Sequence, residues 1–80
     1  MHFVYIIQSI AHPDQYYSGL TEDVEKRLRD HNCGKSKHTA KFKPWELVSY
    51  HFFRNENTAV AFEKYLKTGS GRALAKKLLR

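Results

Sequence analysis

The sequence has very little cysteine, since Cys33 is the single one among 80 residues. An intrachain disulfide is therefore excluded, and so is a zinc site built from several cysteines. The start of the chain has no long apolar run, because the run at residues 3–7 is too short for a signal peptide or a membrane-spanning helix. We therefore expect a protein of a reducing compartment, by default the cytoplasm, that does not enter a membrane.

Acidic residues are scarce as well, because eight Asp and Glu stand against fourteen Lys and Arg. The net charge of +6 and the isoelectric point of about 9.6 favour a polyanionic partner, usually nucleic acid. A basic surface without such a partner is the alternative. The chain also lacks a GxxxxGK loop and a nucleophile elbow around Ser18, so neither a phosphate-loop enzyme nor a serine hydrolase is indicated.

Apolar periodicity and turn residues predict six elements in the order ββαβαα, which indicates an α+β fold with a small antiparallel sheet covered by helices. A chain of 80 residues is expected to form one domain, 1–80. The first strand has no polar residue and is predicted to be central, with the second strand as its hairpin partner. The predicted strands are 3–7, 15–20 and 45–53, and the predicted helices are 22–32, a segment that stops at Gly69, and 71–80.

Residues typical of helix ends accompany these elements. Thr21 is predicted to cap the first helix, and Gly34 is predicted to end it. Asn55 or Asn57 is predicted to cap the second long helix, and Ser70 the last one. Between the first helix and the third strand, residues 34–44 are predicted to be a loop that carries four lysines and no acid.

Three ionisable side chains interrupt the apolar faces of the predicted helices. Glu63 stands four residues after Ala59, within an apolar stripe, and Arg27 and His31 are neighbours on the inner face of the first helix. Each of them alone could run along the core and reach water. Together they are expected on the inner flanks of two helices that pack on one small sheet. A single inward carboxylate permits one-metal phosphodiester cleavage, because Mg²⁺ keeps several waters and takes ligands from the substrate phosphate.

Two tyrosines interrupt the predicted sheet in a similar way. Tyr5 lies in the middle of the first strand and Tyr17 in the middle of the second. A tyrosine in a core normally needs a partner for its hydroxyl group, and two core tyrosines bonded to backbone are the alternative interpretation. Gly19 at the end of the second strand indicates a bend or a close backbone approach.

Several segments in the same order along the chain make the sequence similar to the GIY-YIG nuclease family. VYI at 4–6 and YSG at 17–19 resemble the two motifs that give the family its name, with Val4 and Ser18 in place of the Gly and Ile of that name. The resemblance covers nearly the whole chain and is strongest to the small single-domain bacterial members. The other matching segments are the helix with Arg27 and His31, the third strand at 43–53, and the block at 59–77 that holds Glu63.

The resemblance implies a three-stranded antiparallel sheet flanked by helices, and Mg²⁺-dependent hydrolysis of phosphodiester bonds, with Mn²⁺ as a substitute. It implies that Glu63 holds the metal ion and that Tyr5 is the general base for the attacking water. It also implies that Tyr17 positions water or phosphate, that Arg27 stabilises negative charge, and that His31 assists nearby. An asparagine that many members carry after the glutamate helix is absent from this sequence.

The expected substrate is DNA rather than RNA, in a branched or damaged form. Other members of the family carry additional domains that select the DNA, so a partner protein is expected to supply this selection here. A nucleic-acid-binding module with weak or lost catalysis is the alternative, and an interaction domain is another. The residues predicted to contact nucleic acid are Lys35, Lys37, His38, Lys41, Lys43 and Arg72.

Overall fold

The sheet has three antiparallel strands, and the computed structural model describes residues 2–79 of the chain. Strand β1 (His2–Ser9) lies between β2 (Tyr16–Thr21) and β3 (Trp45–Phe53), in the order β2-β1-β3. The central position predicted for β1 is confirmed, and so is its hairpin with β2. The cause is its composition, because side chains on both faces of β1 are removed from water.

Helices cover both faces of this sheet. The side chains of Tyr5 and Ile7 pack toward α1 (Val24–Asn32), whereas Val4 and Ile6 pack toward the helices of the second half. That second half contains α3 (Glu56–Tyr65) and α4 (Gly69–Leu78). The first helix, with Arg27 and His31, and the helix with Glu63 therefore lie on opposite faces of the sheet. The α+β fold is confirmed, with its main elements in the order ββαβαα. The predicted end of the last helix at residue 80 lies outside the described residues.

The predicted loop at 34–44 contains one turn of helix, α2 (Lys37–Ala40). Tertiary contacts hold this turn, because the indole Nε1 of Trp45 donates to the carbonyl of Thr39 at 2.8 Å and the Thr39 side chain is buried. Gly34 ends α1 as predicted, with a positive φ of 79°. The loop is therefore a fixed part of the α1 side of the fold.

Two of the predicted helix caps are wrong. Asp23 caps α1 instead of Thr21, and its carboxylate accepts a hydrogen bond from the Lys26 amide at 3.0 Å. A carboxylate is favoured there because it also interacts with the positive end of the helix dipole. Thr68 caps α4 instead of Ser70, so this helix begins earlier than predicted. Asn55, one of the two predicted candidates, caps α3, and that helix ends at Tyr65.

Between His2 and Leu79, no helix has the length and apolar character needed to cross a membrane.

Candidate active site

The side chain of Tyr5, which belongs to β1, lies across the edge strand β2 at Gly19. Tyr5 pairs with Gly19 in the β1–β2 ladder, and a Cβ atom on Gly19 would lie 2.6 Å from the Tyr5 hydroxyl oxygen. Only a residue without a side chain lets the phenol ring lie over the backbone of β2. The close backbone approach predicted at Gly19 is therefore confirmed, and its purpose is to admit the Tyr5 ring.

The hydroxyl group of Tyr5 begins a buried chain of hydrogen bonds. It lies 2.8 Å from Nε2 of His31, whose ring has no exposed surface, and Nδ1 of His31 lies 2.7 Å from Oγ1 of Thr39. The Thr39 hydroxyl can donate in turn to the Ser36 carbonyl at 3.4 Å. When Tyr5 donates to His31 and His31 donates to Thr39, every hydrogen in the chain has an acceptor. We assign this direction to the chain.

The surroundings keep both Tyr5 and His31 neutral. Burial is the largest influence on Tyr5 and raises the pKa of its phenol, whereas a hydrogen bond and the charge of Arg27 act in the opposite direction. The ionisable groups of Tyr17 and Glu63 raise the pKa of Tyr5 further. Burial lowers the pKa of His31, and the charge of Arg27 lowers it again. A neutral phenol therefore faces a neutral imidazole.

Glu63 reaches the same edge of the sheet from the other face. Its carboxylate forms an ion pair with Nζ of Lys67 at 2.9 Å and is partly buried. The same ammonium group donates to the backbone carbonyl of Ser18 on β2 at 3.1 Å. It also lies 5.3 Å from the centre of the Tyr17 ring. These contacts bring the carboxylate of α3 to the edge strand that Tyr5 crosses.

Tyr17 stands between the two halves of the site. Its ring centre is 6.3 Å from that of Tyr5 and 5.2 Å from that of His31, and the Lys67 ammonium lies over it from the α3 side. The predicted site residues Tyr5, Tyr17, His31 and Glu63 are thus gathered around β2, and Arg27 on α1 lies close enough to influence the pKa of Tyr5.

Metal ligands in this site are few. Within residues 2–79, no cluster of three or more His, Cys, Asp or Glu side chains could hold a metal ion. The Glu63 carboxylate and the Ser18 carbonyl nevertheless point at one cation, the Lys67 ammonium. Carboxylate and carbonyl oxygens are hard ligands of the kind Mg²⁺ uses, and this ion needs only one or two protein ligands beside water and phosphate. The donor set therefore fits a single Mg²⁺ ion at Glu63.

Two grooves flank the segment Tyr16–Tyr17. One has a volume of about 380 Å³ and is lined on its basic side by Lys67, Arg72 and Lys76. The other has a volume of about 280 Å³ and contains His38 and Lys41. The predicted contact residues Arg72, His38 and Lys41 are thus placed beside Tyr17. Of the remaining three, Lys35 forms an ion pair with Asp30 at 3.2 Å, Lys37 is exposed on α2, and Lys43 is exposed between α2 and β3.

Sequence reasoning missed three residues of this site. Lys67 stands four residues after Glu63, a spacing that allows an ion pair on one helix face and could have identified it. Thr39 gave no such signal, because its burial depends on Trp45 and on α1. Ser18 contributes its backbone carbonyl, so its side-chain type gives little information about this role.

The chain is similar to known proteins over most of its length. Residues 1–77 match the sequence profile of the GIY-YIG catalytic domain. A UPF0213 protein of Haloquadratum walsbyi is 35% identical over 68 residues, which cover 84% of this chain and 74% of that protein. A UPF0213 protein of Clostridium perfringens is 38% identical over 69 residues, covering 84% and 71%. The structure-specific endonuclease subunit SLX1 of Debaryomyces hansenii is 35% identical over 71 residues, which cover 80% of this chain and 20% of that protein. The chain belongs to the GIY-YIG family of endonuclease catalytic domains.

Proposed function

We propose that this protein is a Mg²⁺-dependent endonuclease that hydrolyses phosphodiester bonds in DNA, and that Mn²⁺ can replace Mg²⁺. The observation that carries the proposal is the meeting of a buried phenol–imidazole pair, an arginine and a carboxylate at one sheet edge. Tyr5 and His31 lie on one face of the sheet, and Glu63 reaches the edge from the other face. These are the groups that water activation, charge stabilisation and metal binding require.

Tyr5 can act as the general base because His31 accepts its proton. The attacking water loses a proton to the Tyr5 oxygen while the original hydroxyl proton of Tyr5 moves 2.8 Å to Nε2 of His31. One O–H bond of water breaks, the Tyr5 oxygen loses its own proton as it gains the proton from water, and one N–H bond forms on His31. The resulting hydroxide forms a bond to phosphorus as the bond from phosphorus to the leaving oxygen breaks, and the leaving oxygen takes a proton from solvent. His31 then carries two N–H groups, with Thr39 as the acceptor for the second. After product release, Tyr5 gives a proton to solvent and recovers one from His31, which restores the starting state.

Arg27 has two effects that favour this scheme and one that opposes it, because its charge also lowers the pKa of His31, the ring that accepts the proton. Its guanidinium group can bind two phosphate oxygens, so it stabilises the negative charge that develops during attack. It also opposes the rise that burial causes in the pKa of Tyr5, which makes the phenol a more usable proton carrier. Tyr17 lies between Tyr5 and the groove with Arg72, and its proposed role is to position water or phosphate.

Glu63 would hold the metal ion, and the Ser18 carbonyl, which contacts the same Lys67 ammonium, would be a further oxygen ligand. A bound Mg²⁺ would supply positive charge to the phosphate undergoing attack. The protein's own contribution is to keep one carboxylate at the edge of β2, next to the residues that move the proton.

The basic side chains that line both grooves beside Tyr17 support a nucleic acid as the substrate, because they would contact its phosphate backbone, and we propose that it is DNA. The similarity to a protein named as a structure-specific endonuclease subunit supports branched DNA as the preferred form, and a partner protein that selects it. Cleavage of damaged DNA and a role in DNA repair belong to the same proposal.

A cleavage assay tests the proposed function. Purified protein is incubated with supercoiled plasmid, a branched duplex and an RNA of the same sequence, in Mg²⁺ or Mn²⁺. We expect DNA cleavage that falls at least about 100-fold in Tyr5→Phe, the range in which loss of a general base lies, and that is also lost in Glu63→Gln. Tyr50→Phe, at an exposed tyrosine of β3, and Glu56→Gln, on the same helix as Glu63, are the matched controls and should keep full activity.

Two results of the cleavage assay would contradict the proposal. If the wild-type chain binds DNA but cuts none of these substrates with either metal, the chain is a nucleic-acid-binding module that has lost catalysis. Cleavage that survives Glu63→Gln would show that another residue holds the metal.

A further inference from the structure

The ammonium group of Lys67 occupies the place beside Glu63 that a metal ion needs. Its Nζ lies 2.9 Å from Oε2 of Glu63, 3.1 Å from the carbonyl oxygen of Ser18 and 3.5 Å from the hydroxyl oxygen of Ser18. The face of the Tyr17 ring completes the surroundings at 5.3 Å. The ammonium is thus held by a carboxylate, a carbonyl, a hydroxyl and an aromatic face.

An ordinary helix ion pair would use fewer of these groups. A pair four residues apart on an exposed helix involves only its two side chains and contributes little to stability. Here the lysine also binds backbone and side-chain oxygens of Ser18, on a strand far away in the sequence. In the proposed function, the Glu63 carboxylate and the Ser18 carbonyl are the oxygen ligands of Mg²⁺. The lysine and the metal ion therefore compete for one set of ligands.

We propose that Lys67 is an internal counter-ion of the metal site, which fills that site before a divalent cation binds and must leave when one does. The proposal rests on the proposed function, because it takes Glu63 as the metal ligand. In the metal-free protein the ammonium neutralises the carboxylate and ties α3 to the edge of β2. Its presence lowers the affinity of the site for a divalent cation, so the site loads only at higher metal concentrations.

The displaced side chain has a destination. Lys67 lines the groove of about 380 Å³ together with Arg72 and Lys76, and its side chain is half exposed. A lysine stem is long and flexible, so the released ammonium can turn into this groove and contact a phosphate of the bound DNA. Loading of the metal would thereby free an ammonium group that already lines the groove, so that it can contact the substrate.

The test measures Mn²⁺ binding to DNA-free protein from the electron paramagnetic resonance signal of the free ion. Lys67→Met should bind Mn²⁺ at least about tenfold more tightly than the wild type, since removal of a contacting unit charge changes the energy of a neighbouring ion by that order. The control is Lys64→Met, which removes an equal charge from an exposed position next to Glu63 and should change the affinity by less than about twofold. Lys67→Arg keeps the charge and should keep affinity close to that of the wild type.

Glu63→Gln, alone and combined with Lys67→Met, separates the two proposals. If Glu63-dependent binding is present but Lys67→Met and Lys64→Met have equal affinities, the counter-ion role is wrong and the metal site stands. Weaker binding in Lys67→Met would also overturn the counter-ion role. If no variant shows binding that depends on Glu63, the proposed metal site fails, and the role of Lys67 fails with it. Circular dichroism of each variant confirms that the fold is retained.

Discussion

His31 makes the stability of the protein depend on pH. Its ring has no exposed surface, and its pKa in the folded protein lies below the ordinary value of 6.5 because of burial and the charge of Arg27. As the pH falls below 6.5, the unfolded chain takes up a proton before the folded protein does. The stability that neutral His31 contributes is therefore complete above this pH, and is lost progressively as the pH falls toward the folded pKa.

We expect this loss to disappear when the ring is removed. The free energy of unfolding, measured in urea at about pH 7.5 and about pH 5.5, should fall more in the wild type than in His31→Gln. His38→Gln removes an exposed histidine on α2, and its free energy of unfolding should fall as much as that of the wild type. An equal fall in the wild type and in His31→Gln would show that another group causes the pH dependence.

A substitution at Gly19 tests the same hydrogen-bond chain at its Tyr5 end. A methyl group there would lie 2.6 Å from the hydroxyl oxygen and 2.8 Å from Cζ of Tyr5, so the phenol must leave its place. Gly19→Ala should cost about 1–3 kcal/mol in the free energy of unfolding, as overpacking does. It should also reduce DNA cleavage sharply, because Tyr5 loses its contact with His31. Leu20→Ala on the same strand changes an exposed side chain and should leave cleavage intact. Full cleavage by Gly19→Ala would mean that this geometry is dispensable.

The connection between α3 and α4 depends on a different glycine. A Cβ atom on Gly71 would overlap the backbone carbonyl of Tyr65 and lie 2.6 Å from Cα of Leu66, whereas one on Gly69 would meet nothing within 4 Å. Backbone atoms cannot move aside as the end of a flexible side chain can. We expect Gly71→Ala to lose about 2 kcal/mol or more of stability, and Gly69→Ala to be neutral or to gain about 0.5–1 kcal/mol, because alanine is the better helix former. Urea unfolding measures both, and equal effects would contradict this account of the helix junction.

The elements also differ in how far the sequence predicts them. The strand β1 was predictable because an unbroken apolar run can only be central, and β3 was predicted with its observed bounds, Trp45–Phe53. The turn α2 was not predictable, because the Thr39–Trp45 contact that holds it exists only in the folded protein. The caps at Thr21 and Ser70 were predicted wrongly, since a local pattern does not decide between neighbouring residues that can all accept the same hydrogen bond.

The candidate site shows the same limit. Residue type and spacing identified Tyr5, Arg27, His31 and Glu63 as side chains that an ordinary core would not need. The arrival of Glu63 from the opposite face of the sheet depends on packing, which no local pattern contains. The contact between Lys67 and the Ser18 carbonyl joins two distant segments and has the same origin.

Charge is divided between the two edges of the molecule. Beside β3, a groove of about 420 Å³ is lined by the acidic residues Glu22, Asp23 and Glu25 and by exposed apolar side chains that include Tyr50. Beside β2, both grooves carry lysine, arginine or histidine. A polyanion approaching this molecule is therefore attracted to the edge that holds the candidate site and repelled from the acidic groove.

The salt dependence of DNA affinity measures how localised this attraction is. Lys41→Gln combined with Arg72→Gln removes one cation from each groove beside Tyr17, and should reduce the slope of log K against log salt by about 0.9 for each phosphate contact that is lost. Lys26→Gln combined with Lys35→Gln removes the same total charge, but these two lysines share the carboxylate of Asp30, at 3.6 and 3.2 Å, and line neither groove beside Tyr17. The second pair should therefore leave the slope almost unchanged. If both pairs reduce the slope equally, the DNA responds to net charge alone and the grooves beside β2 have no special part in binding it.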